Sequence, residues 1–161
     1  MIINPSDFIP SDYEVDQTYL DSIMDFQNKN LDKYFPNHSE KHAKLLADMM
    51  IGTAINDEVY IYSGKLPMEC YERAIKNCKA NISILLEEDE NIPVEIKSNS
   101  RIKIKLLNKD LLGKSPHFFV TGNSFRYETD PKIAAAVANF NNTKGAEILK
   151  QNFKILWERS Q

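Results

Sequence analysis

The stretch from Val59 to Leu86 constrains the fold of this chain more than any other. Val59 to Tyr62 is an apolar run of β type, punctuated by Gly64 and Pro67, and Ile82 to Leu86 is a second such run. Between them Cys70, Tyr71, Ala74, Ile75 and Cys78 recur at the spacing of one helix face, with Pro67 suited to the first turn. A strand, a helix and a strand within about 30 residues make a crossover unit, which places the two strands parallel and the connection on the right-handed side. The spacing predicts an α/β fold: a mixed, mainly parallel sheet with helices on both faces. It also settles the two cysteines, which are eight apart on one helix and cannot bridge without breaking it. They are expected to be buried thiols.

The other elements follow from similar patterns. The first 36 residues hold seven acidic side chains against Lys29 and Lys33, bracketed by Pro5, Pro10 and Pro36, and read as an acidic extension (1–36) ahead of an α/β domain (37–161). Within the extension Val15, Tyr19, Ile23 and Phe26 predict a helix from Glu14 to Asn28, begun by Ser11 or Asp12 and docked on the main body. Asn37 is placed to cap a second, mostly buried helix bearing Ala43, Leu46, Met50 and Ala54. Glu87 to Asn91 reads as a solvated acidic turn, and Pro93 to Asn99 as one helical turn before a strand from Arg101 to Leu107. In that strand Arg101, Lys103 and Lys105 alternate with Ile102, Ile104 and Leu106, so one face is basic and the other apolar. His117–Thr121 and Phe125–Tyr127 flank Gly122-Asn123-Ser124 and form a hairpin. Ala135 to Phe140 fits strand or helix, because alanine is a poor strand former. Asn141 or Asn142 caps a last helix with Ala146, Leu149, Phe153 and Leu156 inward and Trp157 near its end.

Bulk properties exclude several classes of function. A formal net charge of −3 argues against a protein that coats nucleic acid or a membrane with its whole surface. No apolar run approaches the roughly 18 to 20 residues that would cross a bilayer, and MIINPSDF has no signal-peptide pattern, so a cytoplasmic chain is expected. The sequence contains no GxxxxGK[ST], GxGxxG or CxxC, which removes support for P-loop hydrolysis, dinucleotide binding and zinc ribbons. No cofactor is expected.

The order of elements, together with HFFVTG, VANFNN and FKILWERS at the ends of the hairpin, strand and helix, resembles one half of the phospholipase D superfamily fold over residues 40 to 159. That family cleaves or transfers phosphodiesters through H-x-K-x4-D-x6-G-S-x-N, whose His is the nucleophile and whose Lys and Asn hold the phosphate. With strand and turn aligned, Ser115 falls at the nucleophile, His117 at the lysine and Gly122 at the aspartate, while Thr129, Asp130 and Lys132 replace Gly, Ser and Asn. Shifting the register makes His117 the nucleophile, but Phe119 then replaces the lysine and Ser124 the aspartate. The resemblance implies the fold with a degenerate motif. It also implies a homodimer, because in this family short members bring two half-sites together across a two-fold axis.

Three functions stand open on this reading. The first is a catalytically degenerate binding or regulatory module, for a phosphate-bearing ligand such as nucleic acid. Its contact would be the segment Lys97–Lys114, which carries six Lys or Arg against Asp110 alone. The second is a divergent phosphodiesterase or nuclease, metal-independent, using His117 at a dimer interface. The third is a protein–protein interaction subunit. The candidate site residues are His117 as the catalytic group and Ser115, Arg101, Lys103, Lys105 and Arg126 as ligand contacts. A sheet edge guarded by lysines is the bland alternative for Arg101, Lys103 and Lys105. Arg126 and Glu128, two apart on one strand, can also pair with each other or across strands. His38 and His42 sit i, i+4 in NHSEKH, a spacing that can bring two imidazoles to a metal, but no third ligand stands nearby and a helix start explains them better. No metal is expected.

Overall fold

The computed structural model describes residues 3–11, 14–65, 68–88, 92–130 and 135–161. The main elements are α1 (Gln17–Asn28), β1 (Phe35–Asn37), α2 (Glu40–Met50), β2 (Val59–Ser63), α3 (Met68–Asn77), β3 (Ile82–Leu86), α4 (Val94–Lys97), β4 (Ile102–Leu106), β5 (Phe118–Thr121), β6 (Ser124–Asp130), β7 (Ala135–Asn139) and α5 (Thr143–Glu158). The seven strands form one sheet in the order β1-β7-β6-β5-β2-β3-β4.

The β2–α3–β3 crossover is present, with Val59 in register with Ile82 and Ile61 with Ile84 in parallel. β4 adds to β3 in parallel as well. Parallel pairing stops there: β5 lies antiparallel on β2, and β6, β7 and β1 follow antiparallel in turn. The sheet is mixed as expected, but the expectation that parallel pairs dominate holds only for β2 to β4. The physical reason is the short link between β5 and β6, since a tight hairpin can join only antiparallel strands. Gly122 sits in that turn at φ +57°, where a Cβ would also come within 2.9 Å of an Asp57 carboxylate oxygen.

Side-chain alternation splits the sheet into two buried layers. One face carries Ile61, Ile84, Phe119 and Ala138, and packs against Leu20, Ile23, Leu46, Met49, Ala74 and Ile75 from α1, α2 and α3. The other carries Tyr62, Leu85, Phe118 and Phe125, and packs against Ala146 and Phe153 of α5. Helices thus cover both faces. β7, ambiguous by composition, is held as a strand because β1 and β6 bond it on both sides. Its alanines leave room for the aromatic rings of Phe35 and Phe140, stacked 5.1 Å apart at its end.

The N-terminal segment belongs to this architecture. Ile3, Phe8, Leu20, Ile23, Met24 and Phe35 are buried in the same core as β2 and β3, and β1 is a strand of the sheet. α1 starts three residues later than expected, because Asp16 accepts the capping bond from the Tyr19 amide; Asp12 lies outside the described residues. Ser39, not Asn37, caps α2 by accepting from the His42 amide. Asn37 is fully buried on β1 instead. Asn142 caps α5 through the Gly145 amide, as the sequence suggested. Cys78 is buried, Cys70 is half-buried, and neither is bridged. Pro67 lies outside the described residues.

Candidate functional site

His117 precedes β5 and faces Glu128 of β6 across the hairpin, the Glu128 amide donating to the His117 carbonyl at 2.9 Å. That pairing puts both side chains on one face of the sheet. Glu87 follows the last residue of β3, and Tyr62 lies near the end of β2. These strand ends converge on the imidazole. Its Nε2 is 2.8 Å from Glu87 Oε1 and its Nδ1 is 3.2 Å from Glu128 Oε2. The Tyr62 hydroxyl donates to the other Glu87 oxygen at 2.9 Å, and the Tyr62 ring meets the imidazole edge-on at 5.0 Å between centroids. Gly64 closes the cluster from below: a Cβ there would lie 3.1 Å from Glu87 Oε1 and 3.2 Å from His117 Cε1.

The two contacts determine the protonation state. A neutral imidazole offers one N–H and one lone pair, whereas two carboxylates on opposite ring nitrogens demand two N–H donors. The arrangement therefore favours the imidazolium form of His117. Hydrogen bonding to Glu128, and then to Glu87, raises its pKa above the ordinary histidine value, against the opposing effect of burial. Glu87 is the nearer partner, and its other oxygen accepts from the Tyr62 hydroxyl. Burial and the bond to Glu87 raise the Tyr62 phenol in turn.

A cavity of about 450 Å³ opens over this cluster, lined by Glu87, Ser115, His117, Glu128 and Thr129, with Leu112 as an apolar wall. It lies where β3 ends and β5 begins, the usual place for ligands at the carboxyl ends of parallel strands. Of the residues singled out in the sequence, the fold brings only His117 and Ser115 together here. Ser115 donates to its neighbour, the Pro116 carbonyl, at 3.3 Å. Arg101, Lys103 and Lys105 stand on and beside β4, the sheet edge, and do not line the cavity. Lys105 bonds the Trp157 carbonyl at 3.1 Å and lies 4.8 Å over that indole, while Lys103 is exposed. Arg126 is 5% exposed, and its Nε donates to Asn37 Oδ1 under α1 and α2.

His38 and His42 do not converge. His38 is exposed, while His42 stacks on Tyr19 at 3.6 Å and bonds Asp16 at 3.1 Å, joining α1 to α2. Among the described residues no three His, Cys, Asp or Glu side chains gather as metal ligands would. No helix among them is long and apolar enough to cross a membrane.

Sequence reasoning missed Glu87, Glu128 and Tyr62 as partners of His117. The sequence places Glu87 in a solvated turn; in the structure it is half-buried against the imidazole. The signal for Glu128 was present, since a tight turn at Gly122-Asn123 sets residue 117 opposite residue 128.

No protein-family model matches the sequence, and no curated protein does. The fold is nevertheless similar to those of several solved structures, a phospholipase D family member among them. NucT from Helicobacter pylori superposes with a TM-score of 0.61 at 12% identity, over 80% of this chain and 98% of that one. Nuc from Salmonella typhimurium, a phospholipase D family member, gives 0.55 at 16% identity over 80% and 95%. TrmBL2, an archaeal chromatin protein with a novel mode of DNA binding, gives 0.58 at 13% identity. This chain spans 60% of TrmBL2, and 90% of its own length is matched.

Proposed function

We propose that this chain is a binding or regulatory module built on the phospholipase D-like fold, without the phosphodiester chemistry. The carboxylate clamp on His117 carries this reading. A nucleophilic imidazole must present a lone pair to phosphorus, and an imidazolium bonded on both nitrogens presents none. Two carboxylates beside the ring also oppose the approach of a phosphodiester anion, where phosphoryl transfer needs cations. The degenerate motif around Ser115, His117 and Gly122 agrees with this. In the alternative, a divergent nuclease, His117 would need one nitrogen released.

The ligand of such a module is proposed to be phosphate-bearing, with nucleic acid the first candidate. Support comes from the positive segment Lys97–Lys114 and from the similarity of the fold to TrmBL2, a chromatin protein with a novel mode of DNA binding, and to Nuc, a phospholipase D family member. Lys103, Arg101 and Lys97 are the cations this reading uses, Lys105 being engaged by Trp157. A homodimer in the cytoplasm is the proposed state of the chain.

Two measurements test the proposal. Wild-type protein incubated in chelator with bis(p-nitrophenyl) phosphate and single-stranded DNA is expected to release no product. Cleavage that disappears in a folded His117→Ala variant would reinstate the nuclease. DNA affinity measured over a salt series is expected to fall steeply as salt rises, with Lys103→Ala flattening the slope. Flat affinity would exclude the phosphate track.

A further inference from the structure

We infer that the outer edge of β4 is a docking site for an extended segment of another protein, added antiparallel to the sheet, in which apolar and acidic residues alternate. β4 is the last strand of the sheet, so one side of its backbone has no strand beside it among the described residues. Strand alternation sorts its polar groups. The Arg101 carbonyl accepts from the Ile82 amide, and the Leu107 amide donates to the Leu86 carbonyl, so odd-numbered positions bond β3. Positions 102, 104 and 106 point outward. At position 106 the edge is already used as a template: the Leu106 amide donates to the Gln161 carbonyl at 2.8 Å, and the Gln161 amide returns a bond to Leu106 at 3.0 Å. Reciprocal bonds of this kind are those of an antiparallel pair. The Ile104 amide and carbonyl lie one repeat further along the same line, facing outward.

The side chains specify what can dock. Ile92, Ile102 and Ile104 line a groove of about 310 Å³ beside the edge, with Lys97, Lys105 and Gln161 also on its walls. Lys103, exposed, and Lys105 alternate with these isoleucines along the strand. A strand that pairs Ile104 places one residue into the groove and its two neighbours opposite Lys103 and Lys105. Valine-like residues suit the groove and an acidic one suits Lys103, Lys105 being held by Trp157, and each favourable cross-strand pair adds to the backbone bonds. A second copy of β4 is a poor occupant, because antiparallel pairing centred on Ile104 sets Lys103 against Lys105. The chain's own acidic N-terminal segment is committed elsewhere, to α2 and β1. The inference does not depend on the state of His117, and detection of phosphodiester cleavage would leave it standing; it shares Lys103 with the proposed phosphate contact, so DNA and the docked strand would compete there.

The test uses the labelled full chain and a capped seven-residue peptide of alternating glutamate and valine, followed by amide NMR. Shifts centred on residues 102–106, with slowed solvent exchange of the Ile104 amide, are expected. Lys103→Glu changes an exposed side chain, so it should fold normally. It should weaken this peptide on the order of tenfold and favour a lysine–valine peptide instead. Equal response to a peptide of the same composition with its valines consecutive, or no response at the edge at millimolar peptide, would overturn the inference. So would a DNA oligonucleotide that reproduces the Ile104 protection, since that would assign the edge to phosphate.

Discussion

At the scale of residues, the chemistry of this protein turns on one imidazole. His117 has both nitrogens on carboxylates, and its raised pKa makes the clamp a pH-dependent element. A histidine whose folded pKa exceeds its unfolded value contributes stability that is fully present below the unfolded value of about 6.5, and loses it as pH rises through the folded one. Denaturation midpoints should therefore fall across that alkaline window, and less so in His117→Gln. NMR titration of the ring should give a pKa above 6.5. Glu128→Gln should lower it more than Glu87→Gln, because hydrogen bonding to Glu128 is the largest contribution raising it, while Glu87 also serves the Tyr62 hydroxyl. The reverse order would mean that the shorter contact dominates. Lys103 and Lys105 show how equal residues diverge: alternation put them on one face, but only the structure sets Lys105 against Trp157.

At the scale of elements, α2 and α3 are joined by a buried charge pair. Asp48, 1% exposed, accepts from Arg73 Nε at 3.2 Å and from the second guanidinium nitrogen. Burial pushes the Asp48 carboxyl up and Arg73 only partly offsets this. Breaking such a pair from the cationic side strands a buried charge, at about 3–5 kcal/mol. Arg73→Met should therefore destabilise the protein more than Asp48→Asn, which removes the charge and keeps an acceptor. Urea denaturation of the two variants checks the order. The β5–β6 hairpin gives a second case. Gly122→Ala forces a side chain into a positive-φ turn against Asp57 and should cost about 1–2 kcal/mol in the same assay. Helix and strand positions here were legible from periodicity, whereas the caps of α1 and α2 moved by a few residues, because several Ser, Asp and Asn side chains compete for each start.

At the scale of the whole molecule, the acidic N-terminal segment is the test of unity. Its buried Phe8, Leu20, Ile23, Met24 and Phe35 pack with the residues under the central strands. Removing residues 1–36 exposes that layer and strips most of β1 from its edge. The truncated chain should lose cooperative thermal unfolding and its dispersed amide spectrum. A folded 37–161 fragment would show instead that the segment is an appendage.

The amino-acid sequence alone determined the crossover unit, the hairpin, the amphipathic last helix and the fold they compose. Local periodicity and turn chemistry encode these, and each needs only neighbours in the chain. Tertiary structure decided the rest. The His117 clamp joins residues 30 apart with Glu87 and across a hairpin with Glu128. Arg126, a candidate ligand contact by composition, was drawn 89 positions away to Asn37. A buried cation or imidazole takes whichever acceptor the packed elements leave within about 3 Å, and which elements meet there is a property of the assembled sheet.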